Sequence, residues 1–183
     1  MNKDALIHGS GGNTGLSRPQ FRSLFILGEA PGTLATWEMF RDTEAGQACL
    51  GRLTHLRFEQ AISPISIPLR NCLNITHLAL PYPRYTSGPG AFAAISFILG
   101  SNSSRSLQRL ILVCKTAEPL SQRDKAEVDH FIKTGCRTPS SYAVYVAFAE
   151  HDPSPEEWWE EVNGGRSVWN SAVPFDSLMV PEK

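Results

Sequence analysis

The spacing apolar-x-x-apolar-x-apolar occurs five times along this chain. The copies are Phe21, Leu24 and Ile26; Leu53, Leu56 and Phe58; Ile75, Leu78 and Leu80; Leu107, Leu110 and Leu112; and Ala143, Val146 and Phe148. Their middle residues lie 32, 22, 32 and 36 positions apart, intervals of the size that separates the units of a solenoid. The strongest copy sits in the run from Ser106 to Cys114. The last two residues of each triplet are two apart, so on a strand they share one face, and the residues beside them form the other. On that other face Ser23, His55, Arg57, His77 and Arg109 are polar or charged, and Tyr145 is amphipathic. A parallel sheet held between two helix layers needs strands that are apolar on both sides, so one face of this sheet is expected to be wet.

The expectation is therefore an α/β fold of leucine-rich-repeat-like design, a one-sided curved parallel sheet of about five strands with one helix layer. The connections fit this plan. Thr33 can cap a helix with Leu34, Trp37 and Phe40 on one face, ended by Gly46, whereas Pro64 and Pro68 break the shortest connection. Phe92, Ile95 and Leu99 predict a helix stopped by Gly100, and Ser121 with Asp124 has capping-box spacing before Val128, Phe131 and Ile132, with Gly135 at the end. Residues 142–149 read as the last clear strand. Ser154, Pro155 and Glu157 open a further helix carrying Trp158, Trp159 and Val162, Gly164-Gly165 breaks it, and Val168 and Trp169 start a short helical segment. An open solenoid must protect its last strand, and this Trp-rich end is the expected cap. Residues 1–20 read as a flexible Gly-rich lead-in, because no strong strand precedes the glycines, no Lys follows them, and Arg18-Pro19 stands where a phosphate-loop helix should begin. Residues 21–183 then form one domain.

Lys plus Arg number 17 against 18 Asp plus Glu, so no basic surplus drives the chain to nucleic acid or anionic lipid. The apolar stretch from Ala91 to Leu99 is too short to span a bilayer, and residues 1–8 run into glycines and not a signal-peptide core. An intracellular location, cytoplasmic or nuclear, is the default expectation. Cys49, Cys72, Cys114 and Cys136 lie 23, 42 and 22 residues apart, with no close pair to suggest zinc or a redox dithiol; they read as small buried hydrophobes.

The run Trp158, five residues, Gly164-Gly165, three residues, Trp169, two residues, Ala172 resembles the C-terminal signature of a large group of fungal proteins with leucine-rich-repeat-like sheets, many of them F-box proteins. Residues 73–80 and 106–112 are similar to that group's strands, and the likeness covers roughly residues 20 to 175. The resemblance implies an N-terminal F-box that recruits the adaptor of a cullin-type ubiquitin ligase, followed by repeats that hold the substrate. Residues 1–20 are too short and too glycine-rich for the F-box helices, so what remains resembles the recognition half, and the ligase adaptor is not an expected partner.

His55, Arg57, His77, Arg109 and Tyr145 are the candidate partner-binding face. With the repeats in register, His55, His77, Arg109 and Tyr145 take equivalent places on adjacent strands, one step being roughly 4.8 Å. Such a ladder can hold a peptide or an acidic group on a protein partner, with Arg as anchor; the plain alternative is a solvated face. Two neighbouring histidines without a third ligand make no metal site, and no cofactor is expected. Gly-x-Ser-x-Gly, His-Glu-x-x-His and a phosphate-loop Lys are absent, and His151-Asp152 reads as the turn into a capped helix, so no catalytic residue is assigned. Two other readings stay open: a small α/β hydrolase or nucleotide-binding enzyme on a doubly wound sheet, and a gene-model fragment marked by an unprotected apolar edge at residues 21–27.

Overall fold

The computed structural model describes residues 23–26, 42–58, 71–83, 91–100, 106–116, 118–135, 142–149, 156, 160–161, 165 and 167–179. In chain order the elements are β1 (Ser23–Ile26), α1 (Glu44–Leu50), β2 (His55–Phe58), β3 (His77–Pro81), α2 (Ala91–Gly100), β4 (Arg109–Cys114), α3 (Gln122–Gly135), β5 (Ala143–Phe148), α4 (Val168–Ser171), β6 (Val173–Pro174) and α5 (Phe175–Leu178). Together they make a mixed α/β fold on one sheet whose strand order is β1-β2-β3-β4-β5-β6. The first five strands are parallel, and the two-residue β6 runs antiparallel to β5.

The leucine spacing sets this register. Leu24, Leu56, Leu78 and Leu110 stand side by side across four strands. Leu56, Phe58, Leu78, Leu80, Leu110 and Leu112 are buried in one cluster with Leu50 of α1, Ile95 of α2 and Val128 and Phe131 of α3. The three helices therefore pack on the leucine face. The residues three before each middle leucine, Leu53, Ile75 and Leu107, join the same cluster. Adjacent units are also tied by a repeated polar link: Asn74 Nδ2 donates to the Gly51 carbonyl at 2.5 Å and Ser106 Oγ to the Leu73 carbonyl at 2.7 Å. In both cases a side chain four residues before the middle leucine reaches the carbonyl five before the leucine of the preceding unit. The turns entering β3 and β4 are thus held as well as the strands themselves.

The fifth unit departs from the expected register. Leu110 pairs with Val144 and Leu112 with Val146, so Val146 is two residues further along than the triplet Ala143, Val146, Phe148 requires. Parity is kept, and Val146 remains on the leucine face with no exposed area, because a shift of two leaves every side chain on its side. Tyr145 consequently stands opposite Ile111, and Ala143 opposite Arg109.

Among the helices, α3 begins as its capping box demands: Asp124 N donates to Ser121 Oγ at 3.2 Å and Ser121 N to Asp124 Oδ2 at 3.1 Å. The helix near Gly46 differs from expectation. Thr43 is the N-cap, its hydroxyl accepting from Gly46 N at 3.1 Å, so Gly46 lies in the first turn and Gly51 ends the helix. A capping hydroxyl two or three residues ahead outweighs a glycine as a terminus signal, since the glycine's lack of Cβ allows buried packing in a first turn. The residues from Thr33 to Phe40, like residues 1–20, Trp158, Trp159 and Val162, lie outside the described residues.

Past β5 the chain closes the sheet. Val168 of α4 packs with Ala79, Ile111, Val113 and Ala147 on the face opposite the leucines; β6 then pairs with β5 at the sheet's edge; and Phe175 of α5 enters the leucine-face cluster, 2% exposed. The second face was expected to be open and wet, and its later half is instead apolar and covered. Ile111 has no exposed area and Val113 is 3% exposed.

Candidate recognition surface

Each side chain on the second face is placed by strand parity. His55, His77 and Arg109 occupy one row, the first residues of β2, β3 and β4. Arg57, Ala79, Ile111 and Tyr145 occupy the next. Parallel pairing in register brings the imidazoles of His55 and His77 into a stack, ring centroids 4.3 Å apart and planes 12° from parallel. A hydroxyl fixes each ring: Thr54 Oγ1 lies 2.9 Å from His55 Nδ1, and Thr76 Oγ1 lies 2.8 Å from His77 Nδ1. Thr76 Oγ1 also donates to the Thr54 carbonyl at 3.1 Å. A hydroxyl has one hydrogen, so with that hydrogen given to the carbonyl, Thr76 can only accept from His77, which places the ring proton on Nδ1.

Trp169 stands across both imidazoles, its ring 5.1 Å from His55 and 6.0 Å from His77, with interplanar angles of 83° and 89°. Under this cover the basicity of the pair falls. Burial, then the His77 charge and the Arg109 guanidinium, hold His55 down to about 4 from its ordinary 6.5; burial and then Arg109 also lower His77. Both rings are accordingly neutral near pH 7.

The five residues of the expected face separate into three environments. His55 and His77 are half-buried beneath Trp169. Arg109 is exposed, and its guanidinium lies over the Tyr145 ring at 5.1 Å from the centroid, a diagonal contact that follows from the two-residue shift of β5. Arg57 is buried, 3% exposed, and its Nη1 donates to Glu161 Oε2 at 2.6 Å. Arg57 therefore belongs to the interior beneath the C-terminal segment. Of these five residues the accessible ones are Arg109, Tyr145 and the half-buried histidines, with exposed Ala143 beside Arg109.

Glu161 and Trp169 were not singled out for this face, because nothing local shows that a segment more than a hundred residues downstream returns to β2. The paired dipeptides Thr54-His55 and Thr76-His77, 22 residues apart, were a legible sign of the hydroxyl-imidazole ladder. The Gly164-Gly165 break also has a physical basis: Gly165 N donates to the Glu160 carbonyl at 2.7 Å, and a Cβ on Gly165 would meet that oxygen at 2.9 Å. Glycine lets the chain turn there and carry Trp169 back to the sheet. Ala172, like Trp169 and Tyr145, packs against the buried cluster of that face.

No family model, curated protein or solved structure matches the chain. Among the described residues, no three His, Cys, Asp or Glu side chains group as a metal site, and no helix is long and apolar enough to cross a membrane.

Proposed function

We propose that the chain is a protein-recognition module of leucine-rich-repeat type, with a curved, one-sided sheet, and that it corresponds to the substrate-holding half of an F-box-like receptor. The observation that carries this reading is the strand order. Five parallel strands follow one another in sequence order, with the leucine register kept over β1 to β4 and displaced by two residues at β5, as successive units of a repeat array do. A nucleotide-binding or hydrolytic enzyme on a doubly wound sheet would use the crevice where strand order reverses, and the order β1 to β5 has no reversal. Repeat arrays use exposed sheet rows for contact. Here the exposed residues are Arg109, its diagonal neighbour Tyr145 in the next row, and the rim of His77, a cationic and aromatic pairing of the kind enriched at interface hot spots.

A photo-crosslinking residue placed at Arg109 or at Ala143 tests this, against the same residue at Lys133 on the leucine-face helix α3. The expected result in native extract is a discrete adduct from the two sheet positions that is missing from the helix position. Identical adducts from all three positions, or none from the sheet, would remove the recognition reading.

A further inference from the structure

The charges of this chain are nearly balanced in number but not in place. Over β1 to β5 and the residues leading into β2 to β5, the described stretches 23–26, 51–58, 71–83, 106–116 and 142–149 hold no Asp or Glu, while Arg52, Arg57, Arg109 and Lys115 lie within them. The carboxylates of the described residues belong to α1, to α3, to the residues shortly ahead of those helices, and to the chain from Glu156 onward. Two of the cations, Arg57 and Arg109, stand on the second face, and their surroundings differ. Arg57 is buried and pairs with Glu161 at 2.6 Å. Arg109 is exposed, and its guanidinium lies over the Tyr145 ring at 5.1 Å from the centroid. Among the described residues no carboxylate pairs with it.

We propose that Arg109, braced by Tyr145 beside the exposed Ala143, is the anchor for an Asp or Glu side chain on an acidic segment of the protein partner. The inference rests on the recognition reading and names the chemistry that this surface takes. Register makes the seat. Ala143 is the neighbour of Arg109 on β5, and Tyr145 stands two residues further along the same face, so a single methyl group lies beside two long side chains and leaves room for a carboxylate to reach the guanidinium. A contact with a ring centroid uses none of the guanidinium N–H donors as a hydrogen bond, and they remain for the bidentate pairing that this fork makes with a carboxylate. The ring also restricts the Arg109 side chain before binding, so less rotamer freedom is lost when a partner arrives. Such a pair contributes little while it stays in water. Beneath a partner, beside Tyr145 and the apolar cluster that Tyr145 packs against, the lower dielectric strengthens it. The count of charges decides between anions. Arg57 is already paired with Glu161, and the Nδ1 proton of His77 is committed to Thr76. The seat therefore offers one cation, which matches a carboxylate and not the more highly charged phosphoryl group that clusters of Arg bind.

Panning a random-peptide display library on the immobilised full chain tests this, with the peptides themselves as the probe. Sequences enriched over the bare support should carry Asp or Glu, and changing that residue to Asn or Gln in a synthetic copy should weaken binding about tenfold or more. The charge-reversed variant Arg109→Glu should instead enrich peptides that carry Lys or Arg, a gain that a misfolded chain would not produce. Enriched peptides without carboxylates, acidic peptides that bind Arg109→Gln as tightly as wild type, or no enrichment at all would each overturn the anchor. Failure of the anchor and failure of the recognition reading are separable. A crosslinked adduct from position 143 that forms equally well in Arg109→Gln keeps the surface and removes the carboxylate, whereas loss of the adducts from both sheet positions removes the surface itself.

Discussion

Replacing Glu161 by Leu removes a carboxylate that lies 2.6 Å from Arg57 Nη1, where the two side chains are 10% and 4% exposed. A buried charge stripped of its counter-charge costs roughly 3–5 kcal/mol when nothing else compensates it. Arg57 makes further contacts, so the expected loss is the lower part of that range, about 3 kcal/mol. Arg57→Met should cost less, about 1–2 kcal/mol, because Glu161 sits on the covering segment and can turn its carboxylate to water. The double variant Arg57→Met/Glu161→Leu replaces two desolvated charges by apolar volume, and such replacements are close to neutral. It should lie within about 1 kcal/mol of wild type, giving a coupling of roughly 3–5 kcal/mol. Urea denaturation followed by circular dichroism is the suitable assay, since guanidinium salts would screen the pair. Single variants that each change stability by less than about 0.5 kcal/mol, with no coupling, would show that Glu161 does not rest on β2 and that the second face is open.

Stability should also depend on pH through His55. Its folded value is depressed to about 4 from 6.5, so the unfolded chain binds more protons between those limits. This contribution is fully present above pH 6.5 and is lost as pH falls towards 4. A ring that keeps some solvent contact supports about 1–2 kcal/mol of it, and thermal melts of His55→Gln should be flatter over that window than those of wild type. Phe175→Ala empties a site 2% exposed in the leucine-face core and should cost roughly 3–5 kcal/mol; a melting point within a degree of wild type would show that α5 is not docked. Burial raises the Cys72 thiol to about 12, so Cys72 should stay unmodified by a thiolate-directed reagent at pH 8 until the chain is unfolded, which peptide mapping of the labelled protein would reveal.

The leucine face was legible because every signal for it is local. Leu53, Leu56 and Phe58 sit within six residues, and the same spacing returns at Ile75 and Leu107. The fifth unit was misplaced for an equally local reason. Its true frame is residue 141, then Val144 and Val146, and residue 141 is a serine. The apolar frame two residues on, Ala143 to Phe148, matched the pattern better. The second face was not legible in the same way. Arg57 reads as a solvated cation when only its strand is considered, and its partner is 104 residues away. What hides a charge in a sheet of this kind is a long-range closure, and spacing along a strand carries no sign of that.

Polar residues on one face do not by themselves make that face open. The second face changes along its length, and the covering segment changes with it. Over β3 to β5 the strands present Ala79, Ile111, Val113 and Ala147, and the segment answers with Val168 and Ala172. Over β2 the sheet presents Arg57, and the segment answers with Glu161. In the row before these lie the two imidazoles, each amphipathic, met by an indole. An apolar patch of this extent would bring chains together if left in water, so its cover belongs to the fold. The histidine row has no such need, since neutral imidazoles are readily hydrated. The covering segment is therefore fixed where exposure is most costly, by Val168 on this face and by Phe175 in the leucine-face core, and Trp169 crosses the histidines in the part of the sheet next to Arg109 and Tyr145.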